Sequence, residues 1–215
     1  MTTKTLFDPD LTLDAAKELI ENGADLDLQN KNGSTPLFYV LDYDVFKLLI
    51  DNGANVDIVN EYGETPLFYV RNVAMLQLFI EHGIDINAKD ENGLSFIFYT
   101  NDIDILKFSI EHGLDINNID NVFGMTVLDD QNSLYNRSSK DNINNAKLLI
   151  THGAISGKIE TYKKYQHCFT QKQQEVFDAF ASIANNDDDF FHMCLTYQND
   201  QKNKIEIEIK DMEIL

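Results

Sequence analysis

Along the first 155 residues, apolar positions recur with a helical period that is cut off each time at the same kind of place. In DYDVFKLLIDNG (42–53), Val45, Leu48 and Leu49 fall on one helical face and the run stops at Gly53. A glycine there reads as a left-handed residue just past a helix C-terminus. Gly23, Gly53, Gly83 and Gly113 lie 30 residues apart, inside the related phrases KELIENGADLDLQN, KLLIDNGANVDIVN, QLFIEHGIDINAKD and KFSIEHGLDINNID, and a fifth copy, KLLITHGAISGK, carries Gly153. A period of this length marks a repeat architecture.

Between these phrases lie NGSTPLFYV (32–40), YGETPLFYV (62–70), NGLSFIFYT (92–100) and a weaker FGMTVLDD (123–130). The Thr-Pro pairs Thr35-Pro36 and Thr65-Pro66 predict a short helix, with threonine as the N-cap and proline where a missing N–H is harmless. NKNG (30–33) and NEYG (60–63) supply Asn and Gly for a tight turn projecting between units. Neither helix of such a unit buries its apolar face alone, so neighbouring copies have to stack.

These phrases resemble the ankyrin repeat family over about residues 12–157, most closely at Asn60, Gly63, Thr65, Pro66 and Leu67, then Leu76, Gly83, Asp85 and Asn87. The resemblance implies two antiparallel helices and a hairpin-like loop per repeat, a concave surface, and a role in binding proteins. Three features depart from the family pattern. The spacing is 30 where the family usually takes 33, so the first helix or its connection has to be clipped. Phe38, Phe68 and Phe98 replace the His of the family's TPLH, losing an expected polar contact for apolar bulk. Thr126 to Gly153 spans 27 residues against 18 in earlier copies, which places an inserted loop around 132–142.

After residue 157 the period is lost. KIETYKKYQHC and QKQQEVFDAFASIANN predict helices, the second presenting Val176, Phe177, Phe180 and Ile183, with Asp187–Asp189 ending it. FFHMCLTYQ and the alternating KNKIEIEIKDMEI predict two strands joined by a turn at 199–203. The expected fold is mostly α: an ankyrin-type helical repeat solenoid over 1–157 and a small non-repeat C-terminal α/β cap or appended domain over 158–215.

Composition narrows the chemistry. The formal charge is −19, from 36 acidic and 17 basic residues, which repels phosphate backbones and attracts cationic partners. Direct nucleic-acid binding is therefore not expected. No apolar run approaches the roughly 20 residues of a membrane span, and the amino end has no apolar leader. A cytoplasmic location follows as the expectation. Cys168 and Cys194 are too few for a disulfide framework or a zinc site. His82, His112 and His152 form a column, read here as side chains that satisfy helix C-termini, since no carboxylate stands at ligand spacing beside them. With no nucleophile elbow, phosphate loop or dinucleotide fingerprint, no enzyme activity and no cofactor are expected.

The working surface is expected on the loop tips, at Asn32, Tyr62, Glu64, Glu91, Asn92 and Phe123, where aromatic anchors and carboxylates line up. Tyr39, Tyr69 and Tyr99 are expected to form a ladder packed between repeats. The function read from this is a protein-binding module with an acidic surface, an immunity-type inhibitor of a cognate toxin or enzyme with a basic face. Two alternatives stay open: a nucleic-acid mimic that inhibits a DNA-binding protein, and a non-inhibitory structural adaptor.

Overall fold

Four helices of equal length follow one another at the repeat spacing: α1 (Leu13–Glu21), α2 (Tyr43–Asp51), α3 (Val73–Glu81) and α4 (Ile103–Glu111). The structure is a computed structural model and describes residues 4–100, 102–119, 121, 125–130, 145–146, 148–156 and 158–213. It forms two compact units, Met1–Asp115 and Ile116–Leu215.

In the first unit each helix is closed at both ends by its own sequence. Thr12, Asp42, Asn72 and Asp102 stand at the N-caps, each side chain accepting a first-turn N–H. At the other end Gly53, with φ of 90°, donates to Ile50 O while Ala54 donates to Leu49 O. This paired arrangement satisfies two terminal carbonyls, and it recurs at Gly23, Gly83 and Gly113. A side chain at the C-cap satisfies one more. Asn52 Nδ2 donates to Leu48 O at 2.8 Å, and the Nδ1 atoms of His82 and His112 lie 2.9 and 2.7 Å from Leu78 O and Phe108 O. The histidines thus serve the helix ends as expected.

The clipping expected from the 30-residue spacing falls on the other helix of the pair, which is reduced to a single 3₁₀ turn: Pro36–Phe38, Pro66–Tyr69 and Phe96–Tyr99. Three or four residues suffice because each turn is held by burial. Leu37, Phe38, Leu67, Phe68, Ile97 and Phe98 are all buried, and the phenylalanines take up the core position expected of them. Burying each such side chain contributes about 1.5–3 kcal/mol. Successive long helices pack side by side, as Phe46 and Phe79 show with ring centroids 4.9 Å apart. The threonine caps are a correction. Thr35 and Thr65 occupy the N-cap positions, but neither side chain makes a capping hydrogen bond. Their hydroxyls, and that of Ser95, are buried without a partner.

Side chains also stitch one repeat to the next. Asn87 Nδ2 donates to Gly113 O at 3.0 Å while its Oδ1 accepts from Asp115 N at 2.7 Å. Asp27, at the same position in an earlier copy, accepts from Asn55 N at 2.8 Å.

The second unit begins with the same devices. Asn117 donates to Gly153 O and accepts from Ile155 N. A one-turn helix, Val127–Asp130, carries the buried Asp129, which accepts from Thr126 N and Ser156 Oγ. The insertion expected at 132–142 lies outside the described residues.

Helices then run over Ile159–Tyr165, Gln171–Ile183 and Asp187–Glu213, with a 3₁₀ turn at Gln166–Cys168. Tyr162 is their hub: 1% exposed, its ring sits 5.5–5.7 Å from those of Phe169, Phe177 and Phe190. Its hydroxyl donates to Asp178 Oδ1 at 3.0 Å. Of the face expected on Gln171–Ile183, Phe177 is buried but Ile183 is 68% exposed.

The expected C-terminal strands are absent. Residues 187–213 form one helix, and among the described residues the only β-type pairing is a single bridge between Lys89 and Ser95. The cap is α, not α/β. Asp187–Asp189 open this helix instead of ending the previous one, with the Asn186 side chain accepting from Asp189 N. Phe190, Phe191 and Cys194 are buried and Tyr197 packs on Phe177, a spacing of one, four and seven that belongs to a helix. A continuous apolar run does not reveal its period. Once that packed segment is helical, extension through Lys, Glu and Gln costs little, because each added residue gains a hydrogen bond without a new nucleus.

Candidate protein interface

Each projecting loop of the first unit is organised by one polar side chain. Asn60 Oδ1 accepts from Tyr62 N at 2.9 Å and Glu64 N at 3.1 Å, while Asn60 N donates to Glu64 O. Asn30 and Asp90 repeat the pattern with Asn32 and Ser34, and with Asn92 and Leu94. A short side-chain acceptor two residues before the tip mimics a backbone turn. The chain reverses through Gly33, Gly63 and Gly93, all with φ between 75° and 77°.

The loops are joined to one another. Glu61 N donates to Asn32 O at 2.9 Å, and Glu91 N donates to Tyr62 O at 3.0 Å. The contact is close enough that a Cβ on Gly63 would lie 2.9 Å from Glu91 N. Five of the six expected surface residues are therefore brought onto three successive, hydrogen-bonded tips: Asn32, Tyr62, Glu64, Glu91 and Asn92. Phe123 lies outside the described residues. Tyr62 is 54% exposed, Glu91 and Asn92 are exposed, and Asn32 and Glu64 are half-buried.

Glu64 faces inward more than the sequence suggests. Its Oε2 accepts from Asn60 Nδ2 at 2.8 Å and from the Tyr69 hydroxyl at 2.7 Å. The other tyrosines are tied to the same loops: Tyr99 donates to Asp90 Oδ2 at 2.7 Å, and the Tyr39 hydroxyl accepts from Asn30 Nδ2 at 2.8 Å. Each ring also packs against a phenylalanine one repeat back, at 5.4 Å for Phe38–Tyr69 and 5.7 Å for Phe68–Tyr99. The inter-repeat ladder exists. Its rings are nonetheless surface groups, since Tyr69 and Tyr99 are 41% and 44% exposed.

These two exposed rings are the residues that sequence reasoning missed as interface candidates. The available signal was their position beside Phe38, Phe68 and Phe98, which already fill the core and leave the next side chain to face outward. Burial raises the Tyr69 pKa, and the Glu64 carboxylate beside its hydroxyl raises it further. The Tyr62 hydroxyl is also pushed up, by the hydrogen bond and charge of Glu61.

Among the described residues no group of three or more His, Cys, Asp or Glu side chains is placed to hold a metal ion, and no helix is long and apolar enough to cross a membrane. No curated protein matches the chain. The family model for ankyrin repeats matches residues 10–90 in three copies, a stretch that holds the first two of these loops, the 3₁₀ turns Pro36–Phe38 and Pro66–Tyr69, and helices α1 to α3.

Proposed function

We propose that the row of loop tips carrying Asn32, Tyr62, Glu64, Glu91 and Asn92 is the binding surface, and that it takes a partner protein with a basic face. The observation that supports this best is the pair of backbone hydrogen bonds, Glu61 to Asn32 and Glu91 to Tyr62, which hold an exposed aromatic and several carboxylates on one continuous strip. A rigid aromatic loses little entropy on binding, and carboxylates steer a cationic partner toward it. The chain's charge of −19 acts in the same direction at longer range. On this reading the protein is an inhibitor of immunity type, acting in the cytoplasm by covering the cationic site of a cognate toxin or enzyme.

The test is site-specific photo-crosslinking in the native cell. A photoreactive residue in place of Tyr62 should yield one discrete protein adduct, and the purified chain should suppress the activity of the protein so identified. Glu61→Gln with Glu91→Gln should slow association at low salt and leave dissociation nearly unchanged. Adducts that form from Ile183 while position 62 stays silent would place the interface elsewhere. An adduct without any inhibition would leave an adaptor.

A further inference from the structure

The tyrosines beside the tips differ from an ordinary exposed ring in being held at both ends. Tyr69 packs against Phe38 and its hydroxyl is fixed to Glu64, while Tyr99 packs against Phe68 and its hydroxyl is fixed to Asp90. Each still leaves about two-fifths of its surface open, 41% and 44%. The result is two aromatic faces at the same place in successive repeats, set before any partner arrives.

The charge next to them is uncompensated. Glu61, Glu64 and Glu91 form no ion pair among the described residues; Lys47 pairs with Asp51 and Lys158 with Asp187 instead. Glu64 spends one oxygen, Oε2, on Tyr69 and Asn60, which leaves Oε1 without a donor among the described residues. A flat ring beside an open carboxylate suits one side chain above the others. A guanidinium is planar, stacks on an aromatic face and reaches a carboxylate with paired N–H donors, whereas an ammonium offers only a compact, strongly hydrated charge.

We propose that Tyr69 and Tyr99, with Glu61, Glu64 and Glu91, form consecutive subsites for arginine side chains on an exposed segment of the partner protein. This rests on the reading of the tips as the binding surface and adds the chemistry it selects: arginine over lysine, one residue per repeat. The rings supply the discrimination and the carboxylates the attraction.

The probes are an oligo-arginine and an oligo-lysine peptide of equal length, titrated into the full chain at physiological salt with amide chemical shifts as the readout. The arginine peptide should bind about fivefold or more tightly than the lysine peptide, with shifts centred on residues 61–70 and 91–99. The Tyr69→Leu, Tyr99→Leu double variant should lose that preference and keep the weaker binding common to both peptides. Tyr69→Phe with Tyr99→Phe, which retains the rings and so the packing on Phe38 and Phe68, should retain it. Equal affinities of the two peptides, with shifts still on the tips, would overturn the arginine subsites and leave the basic-partner reading standing. Shifts confined to other surfaces would overturn both. A preference that survives in the leucine variant would also overturn the proposal.

Discussion

Thr126 and Asp129 are paired: the threonine hydroxyl lies 2.9 Å from the aspartate Oδ2, three residues on. Thr35, Thr65 and Ser95 hold the same place in their repeats, but three residues on they meet Phe38, Phe68 and Phe98, and their buried hydroxyls have no partner. One position thus decides whether the hydroxyl in front of each turn is satisfied. Thr65→Val, which removes an unpaired hydroxyl at nearly constant shape, should therefore stabilise the chain by up to about 1 kcal/mol, and Thr126→Val should destabilise it by about 1–3 kcal/mol by stripping a donor from a buried carboxylate. Denaturant melts check the pair. Shifts of the same sign in both variants would contradict the explanation.

Restoring the partner tests the same relationship from the other side. Phe68→Ala should cost about 3–5 kcal/mol, since it empties a buried site. Phe68→His keeps a ring in that site and places a nitrogen within reach of Thr65, so it should cost clearly less. If histidine is as damaging as alanine in equilibrium melts, the hydroxyl is not open to a partner at this position.

Gly63 and Gly53 both have positive φ, at 75° and 90°, yet only Gly63 has a close neighbour where a Cβ would go. Gly53→Ala should cost about 1 kcal/mol from the left-handed backbone alone. Gly63→Ala should cost more, and it should speed hydrogen exchange at the Glu91 amide, because relieving the 2.9 Å approach pulls that amide from Tyr62 O. Equal losses in stability and an unchanged Glu91 amide would argue against the close approach.

Asn87 makes two bonds to the following repeat where Asp27 makes one, because a carboxylate has no donor to offer a carbonyl. Asp27→Asn should stabilise by about 0.5–1 kcal/mol, and Asn87→Asp should destabilise by a similar amount or more. Thermal melts at neutral pH read both.

Tyr69 and Tyr162 are both raised above the ordinary tyrosine range, first by burial and then by the carboxylate each hydroxyl meets, Glu64 and Asp178. A tyrosine whose folded pKa exceeds its unfolded one contributes stability that is complete below about pH 10 and is lost as the pH climbs toward the folded value. Alkaline absorbance titration should therefore show a late-ionising fraction that shrinks in Tyr69→Phe and in Tyr162→Phe, with stability falling above the unfolded tyrosine range. Ionisation of every tyrosine in one step at ordinary pH would be the opposite result.

The parts legible in the sequence are those where one residue type is forced by backbone geometry. Glycines at a 30-residue spacing marked the helix ends, and Asn-x-x-Gly marked the loops, because few residues tolerate those conformations. What was not legible depends on packing. FFHMCLTYQ reads equally as strand or helix until Tyr162 and Phe177 are in place beside it. Thr35 and Thr65 carry a capping residue type, but the hydroxyl is buried under the turn with its bond unmade. The exposure of Tyr69 and Tyr99 follows from Phe38 and Phe68 having taken the core, a competition that spacing alone does not decide.

The bond from Asn87 to Gly113 and Asp115 joins a residue to its successor one repeat along, and Glu61 to Asn32 does the same between tips. Among the described residues, each of these joints is drawn between neighbours in the series. Duplication or loss of a thirty-codon block would therefore set each copy against a neighbour that still offers a backbone N–H and carbonyl at the joint, and descendants could differ in the number of copies at the cost of a side-chain bond where an aspartate replaces an asparagine. The history open to such a chain is one of lengthening and shortening by whole units, with the tips free to diverge between them.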